Sequence, residues 1–163
     1  MAVEISWQQA LTWRMRRHLL DPVGRLGIAD VVNRLCGIQA QVPSSAELAI
    51  RVRRETSRRG EVERALREGR LIKTWAMRGT LHLLTPEEAG TFLSLMASGR
   101  SWERQSWQRY FGVTPKKIAT LRLAVRAALE DGPLTRDELG TAVGAQRGLR
   151  QVGRRSARAG ERS

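Results

Sequence analysis

The sequence is poor in the residue types that disulfides, metal centres and most nucleophilic active sites need. Its 163 residues include one cysteine, Cys36, and two histidines. One cysteine forms no internal disulfide, and no metal-ligand spacing surrounds it, so we expect Cys36 to be a small buried hydrophobic side chain. The sequence also shows no Gly-rich phosphate loop and no Ser/His/Asp arrangement, so we expect neither a metal nor another cofactor.

Long apolar runs are absent as well. No stretch of about 18 apolar residues is present that could cross a bilayer. The N-terminus lacks a basic segment followed by an apolar segment and a cleavage site, which argues against export. With 41% hydrophobic residues the composition suits a globular protein, and we expect a cytoplasmic monomer without membrane association.

Positive charge is what the sequence has in excess. It contains 29 Lys and Arg against 16 Asp and Glu, a net charge of +13, and only three of the 29 are lysines. The last 20 residues carry +5 of this charge, which leaves +8 for residues 1–143. Such a surplus attracts phosphate backbones by releasing condensed counterions, whatever the base sequence. The charge therefore predicts a nucleic-acid partner and an association with the nucleoid.

Local signals mark the starts of the predicted helices. Four segments fit the capping box, in which a hydroxyl is followed three residues later by Glu or Gln. They begin at Ser6, Ser44, Thr85 and Thr135. Proline at a first helical position, as at Pro86 and Pro115, adds to these signals. The predicted helices lie near residues 6–20, 27–39, 45–56, 60–69, 86–98, 100–110, 115–131 and 135–143.

One segment predicts strands instead. LIKTWAM (71–77) and TLHLL (80–84) are short and rich in β-branched and apolar residues, and Arg78-Gly79 separates them. Gly79 permits positive φ in a two-residue turn, so the segment predicts a β-hairpin. Three helices followed by a hairpin is the order of a winged helix-turn-helix unit, with helix 60–69 as recognition helix and the hairpin as wing.

This order predicts a mainly α fold with a small β-hairpin wing, at the start of a tandem winged-helix array. Residues 1–98 would hold an N-terminal helix and the first unit. Residues 99–143 would hold a linker helix and an incomplete second unit.

Residues 144–163 form a basic tail without a periodic apolar face, which predicts disorder. The tail could be a basic DNA-binding arm. We favour a shift of the reading frame near codon 144, because Arg, Gly, Ala and Ser dominate out-of-frame GC-rich codons. Resequencing that found no alternative frame with a hairpin-like continuation would contradict this hypothesis.

Two glutamines, Gln39 and Gln41, stand where the apolar helix 27–39 is predicted to end. At 100° per residue Gln39 lies on the apolar stripe, and Gln41 would point away from it if the helix continued. Pro43 predicts that the helix ends around residues 39–41, which lets both side chains turn toward one place. A carboxamide on a core-facing stripe must be hydrogen-bonded or face a cleft. Gln39 could therefore cap helix-end carbonyls with Gln41 at the surface, or the pair could be functional.

GIQAQ (37–41) followed by Pro-Ser-Ser, and WAMRGTLHLL (75–84), resemble the AlkZ-type winged-helix DNA glycosylases from about residue 6 to about residue 143. The resemblance implies tandem winged-helix units around DNA and a catalytic Gln-apolar-Gln signature, which falls on Gln39 and Gln41. It implies a monofunctional glycosylase that excises N-alkylated purines or unhooks interstrand crosslinks in double-stranded DNA. The alternatives are a non-catalytic DNA-binding module or regulator, and an inactive truncated fragment of the enzyme.

Several basic residues are candidates for DNA contact. Arg78 stands at the predicted hairpin tip, where an exposed guanidinium can reach phosphate or the minor groove. His82 on the wing strand is either a solvated or hydrogen-bonded strand histidine or a DNA contact. The remaining candidates are Arg51, Arg54, Arg64 and Arg67. The aromatic residues Trp107, Tyr110 and Phe111 follow i, i+3, i+4 spacing, which favours helix packing in a core over base stacking.

Overall fold

The computed structural model describes residues 4–145, which form helices and one small sheet. The mainly helical fold with a small antiparallel sheet is therefore as predicted. The chain divides into two compact units, the first ending at Gly99 and the second beginning at Arg100. Residues 146–163, most of the predicted disordered tail, lie outside the described residues. No helix of the described range is both long and apolar enough to cross a membrane.

The first unit has five helices and three strands. They are α1 (Trp7–Arg17), α2 (Ile28–Arg34), β1 (Ile38–Gln39), α3 (Pro43–Arg51), α4 (Glu61–Arg67), β2 (Ile72–Trp75), β3 (Leu81–Leu84) and α5 (Pro86–Ser98). The strands form an antiparallel sheet in the order β1-β3-β2, so β3 is the central strand.

The two faces of this sheet are covered by different helices. Leu83 belongs to the main core with buried residues of α2, α3 and α4, among them Val31 and Ile50. Leu84, the next residue of β3, packs instead against Ala89 of α5. Successive residues of a strand point to opposite faces, so a single apolar strand can serve both clusters. Burial of each such side chain contributes about 1.5–3 kcal/mol before entropy is counted.

Helix α2 ends five residues earlier than predicted, and the predicted helix 27–39 is wrong over its last turn. Cys36 and Gly37 both have positive φ, 56° and 101°, which reverses the chain and starts β1. A Cβ atom on Gly37 would lie 2.7 Å from a Leu84 methyl carbon, so only glycine fits. Cys36 is exposed in this turn, and the prediction that it is buried is also wrong.

Two of the four predicted capping boxes are confirmed. The Ser6 hydroxyl accepts from the Gln9 amide at 3.1 Å, and the Gln9 side chain accepts from the Ser6 amide at 2.9 Å. Thr135 and Glu138 make the same reciprocal pair at the start of the helix Arg136–Gly144. These two helix starts are therefore specified by residues within a single turn of the chain.

The other two boxes are wrong. Helix α3 begins at Pro43 after an extended Val42, and Glu47 accepts instead from the Gly60 amide at 2.8 Å. Thr85 is the N-cap of α5, but its side chain caps no backbone amide. The pattern alone therefore overstates how often a carboxylate near a helix start is used as a cap.

The hairpin is confirmed, but the predicted two-residue turn is wrong. Strands β2 and β3 are joined by Ala76–Thr80, with a 3₁₀ turn at Met77–Gly79. Arg78 and Gly79 both adopt positive φ, at 55° and 72°. The Ala76 amide donates to the Thr80 carbonyl at 3.0 Å and closes the loop.

The second unit contains a 3₁₀ turn (Ser101–Glu103) and helices α6 (Gln105–Phe111), α7 (Pro115–Ala128) and α8 (Arg136–Gly144). Ala124 and Val143 are buried where α7 and α8 meet. The predicted aromatic core is wrong. Tyr110 and Phe111 contact each other with ring centroids 4.7 Å apart, but Tyr110 is 81% exposed and Phe111 49%.

Candidate functional site

The glutamine pair lies at the end of β1. Gln39 is the last residue of the strand, and the next backbone amide, that of Ala40, donates to the Leu81 carbonyl at 2.8 Å. The extended backbone therefore continues through Ala40, which is buried. Residues i and i+2 of an extended chain point to the same side, so Gln39 and Gln41 share one side and Ala40 points to the other.

The two side chains are joined by a hydrogen bond. Gln39 Nε2 donates to Gln41 Oε1 at 2.7 Å, and both residues are exposed. The prediction that they turn toward one place is confirmed, although an extended strand brings them together and not a helix end. Gln39 lies in a strand and donates to Gln41, so the alternative in which it caps helix carbonyls is wrong. The pair keeps one free carbonyl oxygen, on Gln39, and one free amino group, on Gln41.

His82 lies beside the pair on the central strand. It is directly opposite Gln39 of β1 on one side and opposite Thr74 of β2 on the other. Directly opposite residues of an antiparallel pair share one face of the sheet. His82 is only 8% exposed, and its Nδ1 lies 2.9 Å from the Thr80 carbonyl oxygen. A hydrogen-bonded strand histidine was one of the two predicted alternatives.

The acids nearest to the pair in sequence have structural partners. Asp30 accepts from the Gly27 amide at 3.2 Å at the start of α2, and Glu47 accepts from Gly60. The sequence predicted no catalytic role for Asp30 or Glu47, and their contacts with backbone amides indicate none. Within residues 4–145, no group of three or more His, Cys, Asp or Glu residues is placed to hold a metal ion.

Four of the predicted DNA-contacting arginines are exposed. Arg78 lies in the hairpin turn, Arg51 ends α3, and Arg64 and Arg67 lie on α4. Arg67 pairs with Glu63 one turn away at 2.9 Å, in a fully solvated setting where such a pair is worth little. All four guanidinium groups can therefore reach a phosphate at small cost.

Arg54 is placed differently. Its Nε donates to the Leu26 carbonyl at 2.8 Å and its NH1 group to Glu61 at 2.6 Å, and its side chain is 11% exposed. The hydrogen bond from Arg54 is the main reason why the pKa of the Glu61 carboxyl is lowered. A DNA contact by Arg54 would require it to leave both partners.

Sequence reasoning missed the structural role of Arg53. Its guanidinium donates to the carbonyls of His18 and Ala49, at 3.0 and 2.5 Å. Partial burial lowers the pKa of the Arg53 guanidinium below its usual range. Arg53 and Arg54 together tie the end of α3 to the segment that follows α1. No local pattern distinguishes them from the exposed arginines nearby, because each has one partner, His18 or Leu26, about 30 positions away in sequence.

The first unit thus combines a small antiparallel sheet among helices, a hydrogen-bonded pair of exposed glutamines and several exposed arginines. The family model of the AlkZ-like DNA glycosylases matches residues 32–162. The chain belongs to this family, and the resemblance inferred from the motifs is confirmed.

Two comparisons give individual relatives. The chain is 50% identical over 139 residues to an interstrand DNA cross-link repair glycosylase of Streptomyces sahachiroi, covering 85% of this chain and 38% of the relative. The solved structure of the Streptomyces sahachiroi DNA glycosylase AlkZ matches with a TM-score of 0.88 and 45% identity. That match covers 97% of this chain and 43% of the other. The chain therefore spans about two fifths of the length of these relatives.

Proposed function

We propose that this chain is a winged-helix DNA glycosylase that acts on N-alkylated purines or on interstrand crosslinks, with Gln39 and Gln41 as its catalytic residues. The observation that carries the proposal is the 2.7 Å hydrogen bond that holds the two exposed carboxamides together. Membership of the AlkZ-like family supports glycosidic-bond hydrolysis over a non-catalytic DNA-binding role.

The order of elements supports the winged-helix assignment. From α2 to β3 it reads helix, strand, helix, helix, strand, strand, and the sheet order is β1-β3-β2. In such a unit α4 is the recognition helix, and the loop Ala76–Thr80 with its two strands is the wing. Helices α6 to α8 are proposed as the start of a second unit of the same kind.

The chemistry suits a substrate whose base is already a good leaving group. Alkylation at N7 makes a purine cationic, which weakens its glycosidic bond. The enzyme must then place a water near C1′ and stabilise positive charge on the sugar. The Gln39 carbonyl oxygen can orient this water and offer partial negative charge, although it is too weak a base to deprotonate it fully. The Gln41 amino group can hold the water oxygen or a phosphate.

Because Gln39 and Gln41 are exposed, the proposed site can accommodate bulky substrates. Both glutamines lie at the surface of the first unit, so a sugar can reach them without the base being enclosed. A base that is linked to the opposite strand, or that carries a large adduct, resists extrusion into a closed pocket. An open site is therefore suited to crosslinks as well as to small alkylated purines.

DNA is held by the exposed basic groups in this proposal. Arg78 contacts the backbone or minor groove from the wing, and Arg64 and Arg67 approach from α4. Arg51 adds phosphate contact from the end of α3. We assign Arg54 to the support of the fold because both of its hydrogen-bond partners are protein groups. His82 is too buried to be a strong phosphate contact.

The test is release of N7-methylguanine from methylated duplex DNA. The chain should release the base, and Gln39→Ala and Gln41→Ala should each lower the rate by about 10²-fold or more, a typical loss for a positioned polar group at a reaction centre. Gln8→Ala is the matched control, since Gln8 is an exposed glutamine on a different element, α1. Unchanged release by both site variants would refute the assignment. DNA binding without any release would favour a non-catalytic module or an inactive fragment.

A further inference from the structure

The mechanism proposed above leaves His82 unused, although it is the residue directly opposite Gln39. His82 is 8% exposed and lies on the central strand, so both neighbouring strands restrict it. On its other side is Thr74, whose side chain is uncharged. His82 is therefore a buried polar side chain directly beside the proposed catalytic carboxamide of Gln39.

The hydrogen-bond pattern of the sheet determines how close the two side chains are. The bond from the Ala40 amide to the Leu81 carbonyl marks these residues as a hydrogen-bonded pair. Hydrogen-bonded and non-hydrogen-bonded pairs alternate along an antiparallel ladder, so Gln39 and His82 form a non-hydrogen-bonded pair. In such pairs the Cα atoms are about 4.5 Å apart and the side chains are at their closest.

The contact with Thr80 fixes which ring nitrogen carries the proton. The Thr80 carbonyl lies 2.9 Å from Nδ1 and can only accept, so Nδ1 donates to it. In the neutral ring Nε2 is then an acceptor. Among residues 4–145, Thr80 is the only hydrogen-bond partner of the His82 ring, which leaves Nε2 available on the face shared with Gln39.

We propose that His82 is a positioning residue that fixes the orientation of the Gln39 carboxamide. The Gln39 amino group has two hydrogens, and one of them donates to Gln41. Within residues 4–145 the Gln39 and His82 side chains make no hydrogen bond to each other, and a movement of Gln39 toward His82 would let the second hydrogen donate directly to Nε2, where the Gln39 carbonyl oxygen would find no donor. Because the Thr80 carbonyl accepts from Nδ1, it determines that in this arrangement Nε2 accepts from Gln39 and that the Gln39 amino group is the donor to both His82 and Gln41. The Gln39 oxygen is left pointing to the substrate water, so the inference rests on the function proposed above.

Two substitutions at His82 separate orientation from packing. His82→Phe keeps the ring volume and removes the acceptor, and His82→Gln retains a polar atom that reaches the position of Nε2. We expect His82→Phe to lower kcat for base release by about 10- to 100-fold with little change in KM, because the reacting groups lose alignment and DNA binding is kept. We expect His82→Gln to recover a large part of the loss. Thr74→Val, on the other side of His82, is the control and should keep the parent kcat.

A double-mutant cycle tests whether His82 acts through Gln39. In a Gln39→Ala background the further change His82→Phe should have no effect on the rate, because there is no carboxamide left to orient. An equal loss in both backgrounds would overturn the proposal. So would a loss confined to KM, which would make His82 a binding residue.

A spectroscopic measurement on the unmodified protein gives an answer that does not depend on catalysis. The chain has two histidines, so ¹⁵N spectra of the unmodified protein at about pH 8.5, where free imidazole is neutral, are readily assigned with a His18→Ala variant. We expect a proton on Nδ1 of His82 and none on Nε2. The opposite tautomer would overturn the proposal. If the chain released no base while His82 showed the expected tautomer, the proposed function would fail, and the availability of Nε2 as an acceptor for Gln39 would stand.

Discussion

Gly37 shows how one residue places the candidate site. Its φ of 101° turns the chain from α2 into β1, and a Cβ atom there would lie 2.7 Å from Leu84 and 3.2 Å from Met77. The two glutamines share one side because the chain is extended after this turn. A side chain at position 37 would therefore disturb both the packing and the position of Gln39.

The first prediction is that Gly37→Ala destabilises the fold more than a glycine substitution without contacts. Positive φ costs an alanine about 1–2 kcal/mol and overpacking adds about 1–3 kcal/mol, so the free energy of unfolding should fall by about 2–5 kcal/mol. Gly79→Ala is the control, because Gly79 has a φ of 72° but no atom within 4 Å of the added Cβ. Urea denaturation measures the loss of unfolding free energy in each variant. Equal losses would show that the contact with Leu84 is unimportant.

The second prediction concerns Arg54, which we expect to support the fold. Arg54→Met should lower the free energy of unfolding by about 2 kcal/mol, the typical value of a hydrogen bond to a charged group. Arg51→Met, a change at an exposed arginine three residues away, should leave stability unchanged and weaken DNA binding. If Arg54→Met weakened DNA binding and left the free energy of unfolding unchanged, Arg54 would not have the structural role that we assign to it.

The ion pair between Arg54 and Glu61 should also make the free energy of unfolding depend on pH. Glu61 has a pKa below its usual 4.5, mainly because of the hydrogen bond from Arg54. A carboxyl whose pKa is lowered by folding contributes stability that is present above pH 4.5 and lost as the pH falls through the folded-state value. Arg54→Met should therefore make the unfolding free energy less sensitive to pH below 4.5, which denaturation curves at several pH values would measure.

At the scale of elements, caps decide where helices begin, and α8 offers a test. Thr135 accepts from the Glu138 amide, and hydrogen bonds from Thr135 lower the pKa of the Glu138 carboxyl. Thr135→Ala should increase amide hydrogen exchange in α8 about fivefold, from the loss of one cap. Thr141→Ala removes only a hydroxyl that donates to the Asp137 carbonyl within the helix, and should have a smaller effect. Equal effects would argue against the capping box as the determinant of this helix start.

The hairpin loop Ala76–Thr80, which we propose as the wing, is the element for which we predict the clearest effect on DNA binding. Arg78→Ala should weaken binding to any duplex sequence and reduce the slope of log K against log salt by about 0.9, the value for one phosphate contact. Arg25→Ala is the control, since Arg25 is an exposed arginine of the same unit paired with Glu55. Titrations at several salt concentrations measure both slopes. A slope unaffected by Arg78→Ala would remove the wing from the interface.

At the scale of the whole molecule, the net charge of +13 predicts strong salt dependence. If about six guanidinium groups neutralise phosphates, affinity for duplex DNA should fall about 10³-fold between 50 and 200 mM salt. The slope should be the same for undamaged and alkylated duplexes, because phosphate contacts carry no information about the base. Affinity that hardly changes with salt would contradict a phosphate-dominated interface.

Much of the fold could be predicted from the sequence because its signals are local. Ser6 with Gln9, Thr135 with Glu138, and proline at the first position of α5 and α7 specify helix starts within one turn. The hairpin was likewise visible in its apolar strands and in Gly79. The candidate site was predicted as a pair of residues, Gln39 and Gln41, but with the wrong local structure around them.

What the sequence by itself determined is therefore the class of fold, several of the helix starts and the basic charge, since each depends on neighbouring residues or on composition. Only the tertiary structure decided that the chain extends at Gln39, because a two-residue strand is stable only when β3 pairs with it. The same pairing sets His82 beside Gln39, across 43 positions of sequence. His18 and Leu26, which accept from Arg53 and Arg54, are also distant in sequence. Such contacts follow from the packing of whole elements, which no short sequence pattern encodes.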